Sequence, residues 1–208
     1  MKLTKYLHSC LLLEDQDKTV LIDPGIFTAQ EHVLEAKNIQ KLDYLLITHE
    51  HPDHMYIPLI KEFATKFPQL IIISNASVVK ILGKENISVQ TGNDEIVSLV
   101  DSPHEKLWDK QVPPNTIFTV FGKVTDPGDS LHFSSTTDIL ALPVTAPWGS
   151  TTQAIEKALS LKPKIIIPIH DWMWKDEVRK SMYARLTDYF KPIGIDFKGL
   201  ETGETVIV

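Results

Sequence analysis

Residues 44–54 read Tyr-Leu-Leu-Ile-Thr-His-Glu-His-Pro-Asp-His, an aliphatic run that delivers the chain straight into His49, His51, Asp53 and His54. The apolar half has the character of a strand buried on both faces. In extended backbone, residues i and i+2 point to one side, so His49 and His51 can grip one cation together. Pro52 cannot continue a ladder and bends the path. Asp53 and His54 then fall on the turn into the next helix, within reach of a second cation. Paired catalytic metals stand roughly 3.5–4 Å apart, a distance one such turn can span. A lone His-x-His would be an ordinary polar turn; three imidazoles and a carboxylate at the end of an apolar strand read as a metal site.

Four ligands do not complete two catalytic sites. Three further candidates stand at later strand ends: His104 after the extended run 96–103, Asp129 in the turn 126–130, and His170 after the aliphatic run 165–169. Asp126 competes with Asp129, and the Gly128-Asp129 context favours the latter. Around these positions the pattern predicts a hairpin from strands 6–13 and 19–22, helices over 29–37, 57–67, 77–82, 152–161 and 177–190, and strands over 70–73, 96–100, 116–121, 139–144, 195–197 and 205–208. No fixed-period repeat and no Gly/Ser linker interrupts the chain, so a single domain with a two-sheet core and outer helices is expected.

The chain resembles the metallo-β-lactamase superfamily of zinc hydrolases, whose hallmark is Thr-His-x-His-x-Asp-His after a strand, here Thr48 to His54. Leu21-Ile22-Asp23-Pro24-Gly25, Gly128-Asp129-Ser130 and Pro168-Ile169-His170 resemble further elements of that family. The resemblance implies an α/β fold, a four-layer αβ/βα sandwich of two mixed sheets with outer helices. It implies a first metal held by His49, His51 and His104, a second by Asp53, His54 and His170, and Asp129 between them. It implies two zinc ions, with manganese or iron also compatible with a nitrogen and oxygen donor set. A bridging hydroxide would cleave an ester, lactone or phosphoester bond, with Asp53 orienting it. Asp23 and Thr48 read as residues that orient ligating imidazoles. Trp108, Trp148 and Trp172, near the ligand positions, are candidate walls of a substrate cleft. His8, His32 and His132 read as ordinary structural or surface histidines on a strand, a helix and a strand.

Composition narrows the alternatives. The 208 residues carry 21 Lys+Arg against 27 Asp+Glu, a net charge of −6. That balance argues against a dedicated nucleic-acid surface, and the expected partner is a small-molecule substrate. A nuclease or cyclic-nucleotide phosphodiesterase on the same site would want phosphate-holding cations, and only Lys106 and Lys175 are near. A non-catalytic metal-binding relative would lack ligands, and none is missing. One cysteine, Cys10, excludes an intrachain disulfide framework. No secretory signal or apolar run of membrane-spanning length is evident, so a cytoplasmic location is expected, with oligomeric state open.

Overall fold

The computed structural model describes residues 1–108 and 111–208. Strands β1 (Lys2–Lys5), β2 (Leu11–Asp15), β3 (Lys18–Ile22), β4 (Tyr44–Leu46) and β5 (Ile71–Ile73) form one sheet, completed by the C-terminal β12 (Thr205–Ile207) against β1. The second sheet contains β6 (Val97–Pro103), β7 (Pro114–Val120), β8 (Val124–Asp126), β9 (Ile139–Pro143), β10 (Ile165–Ile169) and β11 (Asp196–Phe197). Spatial order is β12-β1-β2-β3-β4-β5 in the first and β11-β10-β9-β8-β7-β6 in the second. Both sheets are mixed, with antiparallel and parallel pairs side by side.

Side-chain alternation along the strands makes the layers. Leu11 and Leu13 face one way and Leu12 the other; Ile167 and Ile169 oppose Ile166. The inward set, including Leu13, Ile22, Leu46, Phe118, Ala141 and Ile169, forms the core between the sheets. Outside the first sheet, Leu21, Leu45 and Ile72 pack on α2 (Ile57–Lys66) and α3 (Ala76–Gly83) through Ile60, Phe63 and Val78. Outside the second, Leu140 and Ile166 meet α4 (Thr151–Leu161) and α5 (Asp176–Phe190) through Ala158, Leu186 and Phe190. Each buried Leu, Ile or Phe contributes roughly 1.5–3 kcal/mol. The result is the four-layer αβ/βα sandwich.

Three local expectations need correction. The run 6–13 is not one strand: the chain turns at residues 6–10, where His8 has φ 62°, and a separate β1 precedes it. The β2–β3 hairpin is as expected, with Gln16 and Asp17 both at positive φ in a two-residue turn. Residues 29–37 hold only the end of a short helix, α1 (Ile26–Gln30), then a turn at His32 (φ 53°) and a 3-10 turn at Ala36–Asn38. His132 lies in irregular backbone and not on a strand. Among the described residues, no helix is long and apolar enough to cross a membrane.

Candidate metal centre

Strand direction explains where the site forms. β1, β3 and β4 run the same way in the first sheet, and β6, β8, β9 and β10 run the same way in the second. The chain past their C-terminal ends carries His8, Asp23, the segment 48–54, His104, Asp129, Trp148 and His170. Backbone hydrogen bonds join the two rims: Thr116 N–H donates to Thr48 O (2.9 Å) and His170 N–H to His8 O (3.2 Å). All seven expected ligands converge there. Two groups form, His49–His51–His104–Asp129 and His8–Asp53–His54–His170, each with its ligand atoms within 4.8 Å of one another.

Asp129 stands between the groups. Its Oδ1 is 2.7 Å from His170 Nε2 and 3.1 Å from His54 Nε2. Its Oδ2 is 3.3 Å from His104 Nε2 and 3.8 Å from His49 Nε2. His51 Nδ1 lies 3.1 Å from His49 Nε2 and 3.2 Å from His104 Nε2. Asp126 is buried at the end of β8 instead, accepting from Gly128 N–H (3.0 Å). Burial and the nearby Asp23 carboxylate push its pKa up to about 8.

The partners of the outer ring nitrogens decide what the inner ones can do. Asp23 is fully buried; its Oδ1 accepts from Thr48 N–H (2.8 Å), and its Oδ2 accepts from Thr48 Oγ1 (2.6 Å) and His54 Nδ1 (2.6 Å). A carboxylate only accepts, so His54 carries a proton on Nδ1. Thr48 Oγ1 spends its proton on Asp23 and accepts from His49 Nδ1 (3.0 Å). His104 Nδ1 donates to the Glu105 carbonyl (2.6 Å). In their neutral forms these three rings all present a bare Nε2 lone pair to a carboxylate or to another imidazole. Lone pairs do not face anions at such distances without a cation between them, so the donor set fits divalent metal ions.

Without metal charge, protons take that role. Burial opposes the His54 imidazolium, but the Asp129 and Asp23 carboxylates on either side outweigh it and hold the pKa well above the ordinary value. Burial also opposes the Asp129 carboxylate, yet His170, His54 and His49 together keep it well below the usual range. Burial, reinforced by His54, drives His49 well down.

The support behind these residues is close-packed. A Cβ on Gly25 would stand 1.7 Å from the Asp53 carbonyl oxygen, so only glycine lets the 23–25 turn lie against the ligand turn. Gly128 has φ +55°, and a Cβ there would lie 2.4 Å from Asn115 Oδ1 and 2.7 Å from Thr48 Cβ. Gly128→Ala is expected to destabilise by roughly 1–3 kcal/mol, from overpacking and left-handed strain, measured by urea unfolding.

The tryptophans divide. Trp148 reaches the centre, where its Nε1–H donates to Asp129 Oδ2 (2.8 Å) and its ring lies 5.5 Å from that of His170. Trp172 stacks on Phe27 at 3.9 Å, and Phe27 meets His8 edge-on at 5.3 Å. Trp108 is 72% exposed, beside the undescribed residues 109–110.

Sequence reasoning missed two features. His8 is buried in the second group, behind a left-handed turn that no Gly, Asn or Pro announces. The buried Asp171 accepts from Lys5 Nζ (2.9 Å) and from the Tyr183 hydroxyl, tying β1 and α5 to the backbone next to His170. Only the unpaired look of a lysine beside an apolar β2 could have hinted at it.

A two-sheet sandwich with a His/Asp cluster across one rim is the arrangement of metallo-β-lactamase-fold proteins. The chain belongs to the beta-lactamase superfamily: the family model described as "Beta-lactamase superfamily domain" matches residues 2–170. It is similar to Protein Rv0786c of Mycobacterium tuberculosis, 29% identical over 90% of this chain and 92% of that protein. It is also similar to the UPF0173 metal-dependent hydrolase NEQ378 of Nanoarchaeum equitans, 29% identical over 84% and 85% of the two chains. A solved structure from Parabacteroides distasonis superposes with a TM-score of 0.71 at 26% identity, covering 94% of this chain and 90% of that one.

Proposed function

We propose that the protein is a metal-dependent hydrolase with two divalent ions, zinc foremost, acting on an ester, lactone or phosphoester of a small molecule. The observation that carries this reading is the convergence of four imidazole Nε2 atoms on the Asp129 carboxylate, His54 and His170 on one oxygen and His49 and His104 toward the other, with those of His54, His49 and His104 bare in the neutral rings. Membership of the superfamily and the likeness to a protein named a metal-dependent hydrolase support it.

Bound divalent ions would acidify a water and polarise the scissile carbonyl or phosphoryl group. The chain's own residues do the positioning. His49, His51 and His104 would hold the first ion and Asp53, His54 and His170 the second, with Asp129 placed between the two groups. Asp23 fixes the His54 ring directly and the His49 ring through Thr48, so both present Nε2 without a conformational search. Asp53, with its side chain 28% exposed, meets solvent and orients the attacking water. Trp148 steadies Asp129, while Trp172 and Phe27 offer an apolar face beside the second ion.

A panel of chromogenic esters, lactones and phosphodiesters, assayed with and without chelator, tests this. At least one class is expected to be hydrolysed, with activity lost on chelation and restored by added zinc or manganese. Activity indifferent to chelator, or none in protein carrying two ions per chain, overturns it.

A further inference from the structure

We infer that His8 is a positioning residue for the second ion: it holds the Asp53 carboxylate in its ligating orientation. This rests on the two-ion reading above. His8 lies outside the seven residues expected to ligate, yet the β1–β2 turn brings its ring into the centre of the second group. Its Nε2 is 3.1 Å from Asp53 Oδ2, and its ring centroid is 3.9 Å from that of His170. The side chain is 3% exposed.

The chemistry of the pair assigns the direction of the bond. Asp53 is an acceptor, so His8 donates from Nε2–H. The His8 Nδ1 is then the bare nitrogen, and it is buried with no hydrogen-bond partner among the described residues. The neutral ring therefore has one task on Nε2, the carboxylate. Asp53 differs from Asp129 in what surrounds it: Asp129 is clasped by Trp148 and four imidazoles, whereas Asp53 has His8 and a more distant His54 Nε2 at 3.9 Å. Asp53 is a partly exposed carboxylate on a turn, and among the described residues His8 is its one close side-chain donor, so its orientation is lost when that donor goes.

The backbone is arranged for the same end. His8 adopts φ 62° and His170 φ 64°, both in the left-handed region that a histidine adopts at a cost. Their main chains are tied by the bond from His170 N–H to His8 O (3.2 Å). Two strained turns, one from each sheet, are thus locked ring to ring, with Phe27 closing the outer side of His8.

The test compares wild-type protein, His8→Ala and His8→Gln. Each is loaded with zinc and dialysed against graded chelator, and bound metal per chain is measured by elemental analysis, with circular dichroism to follow the fold. Wild type is expected to release its ions in two steps. In His8→Ala one of the two steps moves to roughly ten- to a hundredfold lower affinity, the range for removing a residue that orients a ligand, while the other stays. His8→Gln, whose amide nitrogen takes the place of Nε2 as donor, recovers most of the loss. Two ions held by His8→Ala as tightly as by wild type overturn the proposal, and so does a His8→Gln protein as weak as His8→Ala. Wild type that binds a single ion overturns the two-ion reading and this inference with it; wild type with two ions and an indifferent His8 overturns the inference alone.

Discussion

Asp129→Asn is expected to reduce hydrolysis by roughly a thousandfold or more and to lower the affinity of both ions at once. The substitution keeps the size of the side chain but exchanges one carboxylate oxygen for an NH₂ group, which has no lone pair for a metal. Both oxygens of Asp129 are engaged, one toward His54 and His170 and the other toward His104, His49 and the Trp148 indole. Neither orientation of an asparagine amide serves both groups. Metal-ion catalysis is worth several kcal/mol of barrier, which is about three powers of ten in rate. The measurement is kcat/KM on the best substrate of the panel, alongside metal content. A variant within tenfold of wild type would show that Asp129 is a scaffold residue and not a ligand.

The second large effect comes from behind the ligands. Asp23→Asn is nearly isosteric and keeps an acceptor for Thr48 N–H. Its amide nitrogen, however, replaces the oxygen that accepts from His54 Nδ1 and Thr48 Oγ1. The new N–H groups turn His54 Nδ1 into an acceptor and send the ring proton to Nε2, where it blocks the lone pair. Metal affinity is expected to fall ten- to a hundredfold while the fold survives. Asp23→Ala is the harsher control: it orphans three buried donors and should cost about 3–5 kcal/mol of stability by denaturant unfolding. Unchanged zinc affinity in Asp23→Asn, measured by competition with a chelating dye, would refute the tautomer argument.

These residues were legible to different degrees. The stretch 49–54 declares itself because its donors are contiguous and follow an apolar strand. His104, Asp129 and His170 are each weak alone, and became an ordered complement once every one fell at a strand end. The layers were legible too, since aliphatic runs such as 165–169 leave few places for a strand but the interior. What was hidden is what needs three-dimensional context. The Leu7-His8-Ser9 turn sits within an apolar run that reads as extended backbone, so His8 looked like a strand residue. Little in the sequence marks Lys5 as buried, yet Asp171, 166 positions away, pairs with it in the interior. Short β8 is not among the expected strands, because three residues give no period to read.

The residues that would hold the second ion run from Asp53 to His170, with His8 behind Asp53. Any cation held there therefore closes a loop through more than half of the polypeptide. A ribosome must release residue 170 before that loop can shut, so loading of this group is a late event in biosynthesis, after strands β1 to β5 of the first sheet are already available to pair. An apoprotein stage is thus built into the order of the chain, and fragments ending before residue 170 should acquire at most the other ion.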